Sequence, residues 1–136
     1  MSRALAAVKS LDHLVLTCAS IPRTVSWYTK YLGMKQDVFT PPATPDTQRV
    51  ALKFGTQKIN LHEKGKEFEP KASTALPGTA DLCFLVEEGV DLDEVREGFE
   101  RDGVEVLEGG KVVARTGAVG RIRSVYVRDP DGNLIE

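Results

Sequence analysis

Ser124-Val-Tyr-Val-Arg-Asp-Pro-Asp-Gly-Asn-Leu-Ile-Glu136 is the stretch whose reading decides the fold. Residues 124–128 alternate with the period of a strand, Asp129-Pro130-Asp131-Gly132 is dense in turn formers, and Asn133 opens a second strand, so the sequence predicts a β-hairpin. That turn determines where Glu136 points. Leu134 and Glu136 share one face of the returning strand and Ile135 takes the other. A carboxylate set on a sheet face needs water or a cation. Glu136 is also the last residue of the sequence, so it is expected to fray and to be weakly held.

Upstream, residues 11–18 are rich in strand formers, with His13, Val15 and Thr17 on one face and Leu14, Leu16 and Cys18 on the greasier other. Ser20 can cap a helix over 22–32, stopped by Gly33, whose stripe of Val25, Trp27, Tyr28, Tyr31 and Leu32 faces a core. Strands follow at 34–39, 49–54 and 57–63. The last carries Asn60 and His62 on one face, with Ile59 and Leu61 on the other. Residues 64–79 are polar, with Pro70, Pro77 and Gly78 among their breakers, and form a linker. Beyond it the sequence predicts a strand at 80–86 with Asp81, Cys83 and Leu85 on one face, and a helix at 92–101 capped by Asp91. A strand at 104–107, a loop at 112–120 and the strand 122–128 that enters the closing hairpin complete the chain.

The order strand, helix, strand, strand, strand therefore occurs twice, over 11–63 and 80–136. The predicted fold is α+β: two βαβββ modules paired into one open cleft within a single domain, 8–136, behind a flexible N-terminus, 1–7. Pairing would bring His13, Asn60 or His62, Asp81 and Glu136 together. One imidazole and two carboxylates suit a single divalent ion of Mn, Fe, Ni, Zn, Co or Mg; without one the carboxylates repel and one protonates. The alternatives are thus a metal site or a metal-free binding cleft. A second candidate is the loop Arg115-Thr-Gly-Ala-Val-Gly-Arg-Ile-Arg123, whose glycines allow close approach and whose Arg115 could grip an anionic substrate group.

Composition narrows the class. Eighteen basic residues against 20 acidic ones, with no basic block, give nothing to recruit nucleic acid, and the apolar runs fall far short of the ~20 residues that span a bilayer. Cys18 and Cys83 lie inside predicted strands, where a thiol behaves as a small hydrophobe. No disulfide framework is expected, and a cytoplasmic location follows, since residues 1–10 lack the apolar run of a secretory signal.

The hairpin Tyr126-Val-Arg-Asp-Pro-Asp-Gly-Asn-Leu-Ile-Glu136 and the strand Leu11-Asp-His13-Leu-Val-Leu16 resemble the closing and opening elements of the vicinal oxygen chelate superfamily. That superfamily includes glyoxalase I, extradiol dioxygenases, methylmalonyl-CoA epimerase and fosfomycin-resistance proteins. With the segments 59–71, 80–84 and 115–120, the chain is most similar to the glyoxalase domain-containing protein 5 branch. The resemblance implies His13 and Glu136 as metal ligands and Asp81 where many relatives have His. It places Asn60 near the position of a glyoxalase I glutamate, with Ser124 and Tyr126 facing the cleft, and implies assembly as a homodimer. His62 would be a fourth ligand, a base or a hydrogen-bond donor behind the ligands. The expected activity is metal-dependent chemistry on a small oxygen-rich substrate, lyase or isomerase first, with dioxygenase and thiol transferase as rivals. The alternative is a non-catalytic small-molecule-binding protein of the bleomycin-resistance kind.

Overall fold

The structure, a computed structural model, describes residues 3–136. Residues 1 and 2, the start of the expected flexible terminus, lie outside the described residues. The chain divides into two compact units, Met1–Ala72 and Ser73–Glu136, so the division falls inside the polar stretch read as a linker. No helix among the described residues is long and apolar enough to cross a membrane.

In the first unit the elements are β1 (His13–Cys18), α1 (Ile21–Leu32), β2 (Lys35–Phe39), β3 (Arg49–Phe54) and β4 (Gln57–Glu63). They form one sheet in the order β1-β4-β3-β2, with β1 and β4 parallel and the other pairs antiparallel. Helix α1 is defined at both ends by its sequence. Ser20 Oγ accepts from the Arg23 amide at 3.3 Å, and Gly33 adopts φ 66° while its amide donates to Thr29.

Register puts Leu16, Leu52, Ile59 and Leu61 on one face, all buried, and α1 covers that face with a fully buried Tyr28. The core stripe of α1 also includes Thr24, which is buried as deeply and which an apolar pattern does not reveal. The opposite face carries Asn60 opposite Val15 and Ala51, His62 opposite Thr17, and Arg49 opposite Phe39.

The second unit holds β5 (Asp81–Leu82), α2 (Leu92–Arg101), β6 (Val113–Thr116), β7 (Arg121–Ser124), β8 (Val127–Arg128) and β9 (Leu134–Ile135). Strand β5 lies parallel to β9, which pairs antiparallel with β8, while β6 and β7 form a separate hairpin. Asp91 caps α2 through the Asp93 amide at 2.8 Å, and its Phe99 joins Val106, Val127 and Ile135 in the buried core.

Four expectations are corrected here, the first being the strand read over 80–86, which is only the two-residue β5, Asp81–Leu82. Residues 104–107 form no strand, because Glu108, Gly109 and Gly110 all take positive φ and turn the chain; Val106 is buried as core filling instead. The missing strand is supplied by β6, inside the stretch 112–120 read as a loop, so Arg115 stands on a strand. The strand expected over 122–128 breaks at Val125 and Tyr126, where the Tyr126 carbonyl accepts from the Leu107 amide at 2.9 Å.

Truncating Leu61 to alanine removes a fully buried side chain from the first sheet and should cost ~2–5 kcal/mol in denaturant unfolding. Gly78→Ala should also destabilise by more than ~1 kcal/mol, because Gly78 has φ 84° and an added Cβ would stand 2.6 Å from the Asp131 carbonyl oxygen. A melting temperature equal to the parent's for either variant would contradict the packing described.

Candidate functional site

The site in the second unit is built by the closing turn. Asp129 Oδ1 accepts from the amides of Asp131 and Asn133, both at 3.0 Å, and its Oδ2 accepts from Asn133 Nδ2 at 2.8 Å. Asn133 Oδ1 in turn accepts from the Ala80 amide at 2.9 Å, which fastens the turn to the start of β5. The chain therefore leaves the turn in fixed register. The Glu136 amide donates to Leu82, and its carbonyl accepts from Phe84, both at 2.8 Å. Glu136 is thus held on both backbone groups, contrary to the fraying expected from its place in the sequence.

Its carboxylate is held as well. Ser124 Oγ donates to Glu136 Oε2 at 2.6 Å, a charge-assisted hydrogen bond, and the Tyr126 hydroxyl lies against the same carboxylate. Ser124 reaches this carboxylate from the end of β7 and Tyr126 from the break that follows it. Burial, then the bond to Glu136, raises the Tyr126 phenol above its ordinary value, while Arg115 pulls the other way. The Cys83 thiol is likewise pushed up, first by burial and then by the Glu136 carboxylate and Asp81. Cys83 is exposed, so the core role expected of both cysteines holds only for Cys18. A cavity of about 540 Å³ opens here, lined by Cys83, Leu85, Thr116, Val119, Ile122 and Glu136 among others. That volume suits a small ligand.

Arg115 makes three polar contacts within this unit. Its Nε donates to Tyr126 Oη at 3.2 Å, Nη1 donates to the Ala114 carbonyl at 2.9 Å, and Nη2 lies 3.4 Å from Glu108. Its geometry therefore orients the tyrosine. Arg123 pairs with Asp93 at 3.5 Å, on the surface.

The first unit carries a second group of polar side chains. His62 and Asn60 are 4% and 6% exposed on the sheet face away from α1. Arg49 Nη2 donates to His62 Nε2 at 2.8 Å. A guanidinium can only donate, so Nε2 is the unprotonated acceptor and the ring proton sits on Nδ1. Burial and Arg49 both depress the His62 pKa, which keeps the ring neutral, although Glu67 opposes them. The Phe68 ring meets His62 edge-on, 5.6 Å between centroids, and lies 4.8 Å from the Arg49 guanidinium carbon. Asn60 Oδ1 and Arg49 Nε are buried with no hydrogen-bond partner among the described residues. Sequence reasoning singled out Asn60 and His62 and missed Arg49; its signal was the face it shares with His62 on the adjacent strand. His13 is exposed at the start of β1, its Nδ1 2.7 Å from Asp12 Oδ2.

The donors partly fit a divalent ion. An imidazole whose Nδ1 is tied to a carboxylate keeps Nε2 for a metal, and Glu136 keeps one oxygen beyond the one bonded to Ser124. Asp81 is exposed on β5, next in the sheet to β9. Among the described residues, however, no three His, Cys, Asp or Glu side chains gather closely enough to enclose an ion. The structure thus brings Glu136, Ser124, Tyr126 and Arg115 into one cluster, and Asn60, His62 and Arg49 into another.

Residues 10–136 match the family model described as the glyoxalase/bleomycin resistance protein/dioxygenase superfamily, and the chain belongs to that superfamily. A glyoxalase domain-containing protein of Mycosarcoma maydis is 50% identical over 96% of this chain and 68% of its own length. A virulence protein of Salmonella typhimurium is 47% identical over 95% of this chain and 83% of its own. A solved structure from the mobile metagenome of V. pseudocholerae superposes with a TM-score of 0.84 at 51% identity, covering 97% of this chain and 95% of that one. A fosfomycin resistance protein of Listeria monocytogenes, solved with Mn(II), shares the fold alone: 17% identity, TM-score 0.60, 95% of this chain and 88% of that one.

Asn133→Ala removes two of the hydrogen bonds that hold the turn, those made by its side-chain amide, and should cost ~1–3 kcal/mol; an unchanged unfolding midpoint would sink this account of how Glu136 is placed. For His62 the folded pKa lies below the ordinary 6.5, so the unfolded chain binds this proton first. Its stabilising contribution is complete above pH 6.5 and is lost as pH falls toward the folded pKa. His62→Gln should therefore flatten the decline in stability between about pH 7 and 5, read by denaturant midpoints across that range; an identical pH profile would return His62 to an exposed state.

Proposed function

We propose that the protein is a divalent-metal-dependent enzyme of the glyoxalase type, lyase or isomerase in class, acting on a small oxygen-rich substrate. The proposed ligands are His13, Asp81 and Glu136. The observation that carries the reading is the carboxylate of Glu136, preset by Ser124 at 2.6 Å and by backbone bonds on either side. A group held this firmly before any ligand arrives serves catalysis, because no reorganisation is needed during reaction. When bound, a divalent ion supplies Lewis-acid polarisation of the substrate oxygens.

The chain's own residues would do the rest. Glu136 would receive or return a proton at the oxygen not bonded to Ser124, while Tyr126, held by Arg115 and kept as the neutral phenol, would steady that carboxylate through its hydroxyl and would have to release it before donating to a substrate oxygen. His62 is less suited to general base work than its residue type suggests. Its one lone pair already accepts from Arg49, and that bond would have to break first. Within this proposal the protein belongs to the glyoxalase domain-containing protein 5 branch and works in the cytoplasm as a homodimer. The rival reading is a non-catalytic small-molecule binder of the bleomycin-resistance kind. It draws on the description of the matching family, which takes in bleomycin resistance proteins beside enzymes.

Elemental analysis of protein purified without chelator separates the two. The enzyme reading expects about one divalent ion per chain, lost in His13→Ala while circular dichroism stays unchanged, since an exposed histidine contributes little to the core. Absence of bound ion, together with no shift in melting temperature on adding Mn, Fe, Ni, Zn, Co or Mg, would overturn it.

A further inference from the structure

The face of the first sheet away from α1 holds more positive charge than its surroundings neutralise. The Arg49 guanidinium carbon stands 5.7 Å from the centre of the Phe39 ring, and Lys58 Nζ stands 4.1 Å from the same ring. Neither cation meets a carboxylate within ion-pair distance among the described residues, whereas Lys53 on the same sheet is paired with Asp37 at 3.7 Å. His62 cannot neutralise Arg49, because an imidazole is either neutral or cationic. Two cations at one aromatic ring, neither of them ion-paired among the described residues, make a place for an anion from outside, the acid that acts on the neighbouring His62 being Glu67.

Two buried orphans sharpen the requirement. Arg49 Nε–H has no acceptor, and Asn60 Oδ1 has no donor although the residue is only 6% exposed. A polar atom buried unpaired is destabilising, so the site is complete only when something supplies both an acceptor and a donor. The planar fork of Arg49 matches a carboxylate, its Phe68 and Phe39 neighbours supply flat apolar walls, and Asn60 asks for a hydroxyl.

We propose that Arg49, Lys58 and Asn60 form a docking site for a small hydroxycarboxylic acid, the carboxylate meeting Arg49 and Lys58 and the hydroxyl donating to Asn60 Oδ1. This deepens the function proposed above by naming a substrate class, and it rests on that reading only for the claim that the bound acid is also transformed. Arg49 is then a specificity residue, a part that sequence reasoning gave to Arg115.

The test is a nuclear magnetic resonance titration of the full chain, stripped of metal by chelator, with lactate, propionate and inorganic phosphate. Lactate should shift the backbone amides of Phe39, Arg49, His62 and Phe68, and should bind at least about threefold more tightly than propionate, which lacks the hydroxyl. Lys58→Met, which leaves the buried contacts intact, should weaken lactate severalfold, and Arg49→Met by at least about tenfold. Asn60→Ala should erase the preference for lactate over propionate. Absence of shifts at these amides, or equal affinity in Lys58→Met and the parent, overturns the site. Equal binding of lactate and propionate by the parent overturns the role of Asn60, and tighter binding of phosphate overturns the carboxylate assignment. Metal content is measured separately on the unstripped protein, so a protein that takes lactate but no ion refutes the enzyme reading and leaves this one standing.

Discussion

Parallel backbone pairing between the first and last strand of each unit is the constraint on which the rest depends. In the first unit β1 runs beside β4, and in the second β5 runs beside β9. A parallel pair cannot be closed by a tight turn, so everything between the two strands must cross over and return, and the intervening helix is what covers the sheet. The last strand then lies inside its sheet with neighbours on both sides. Side chains at that position, Asn60 and His62 in one unit and Glu136 in the other, are held by the ladder rather than by loops. Such placement suits groups that must not wander.

Much of this was legible in the sequence because period and punctuation agreed. The limits of β3, β4 and α2 coincide with the hydrophobic alternation and with the residues that cap or turn the chain, and the Asp-Pro-Asp-Gly turn with its two flanking strands was plain. The middle of the second unit was not. Val104 and Val106 alternate with polar neighbours as strand residues do, but three consecutive positive-φ residues from Glu108 onward override that pattern. Strand β6 was hidden because its sequence, Val-Ala-Arg-Thr, is short and flanked by glycine; only pairing with β7 makes it a strand.

The site was legible by residue type and not by partnership. Ser124 and Tyr126 were expected to face the cleft; in the structure both side chains meet the Glu136 carboxylate. That Tyr126 and Glu108 occupy the guanidinium of Arg115 could not be read from spacing, since these contacts join a strand, a turn and a broken strand. Arg49 escaped notice for the opposite reason. An arginine opening a strand reads as a surface charge until the register sets it beside a histidine and between two phenylalanine rings.

The thiol of Cys83 carries a consequence for durability. An accessible cysteine on a cavity wall is ordinarily the first atom of a protein to be alkylated or oxidised, and its vulnerability scales with the fraction present as thiolate. Partial burial, with Glu136 and Asp81 nearby, keeps this sulfur in its protonated form. The Glu136 and Asp81 carboxylates thereby lower the share of this sulfur present as the reactive thiolate.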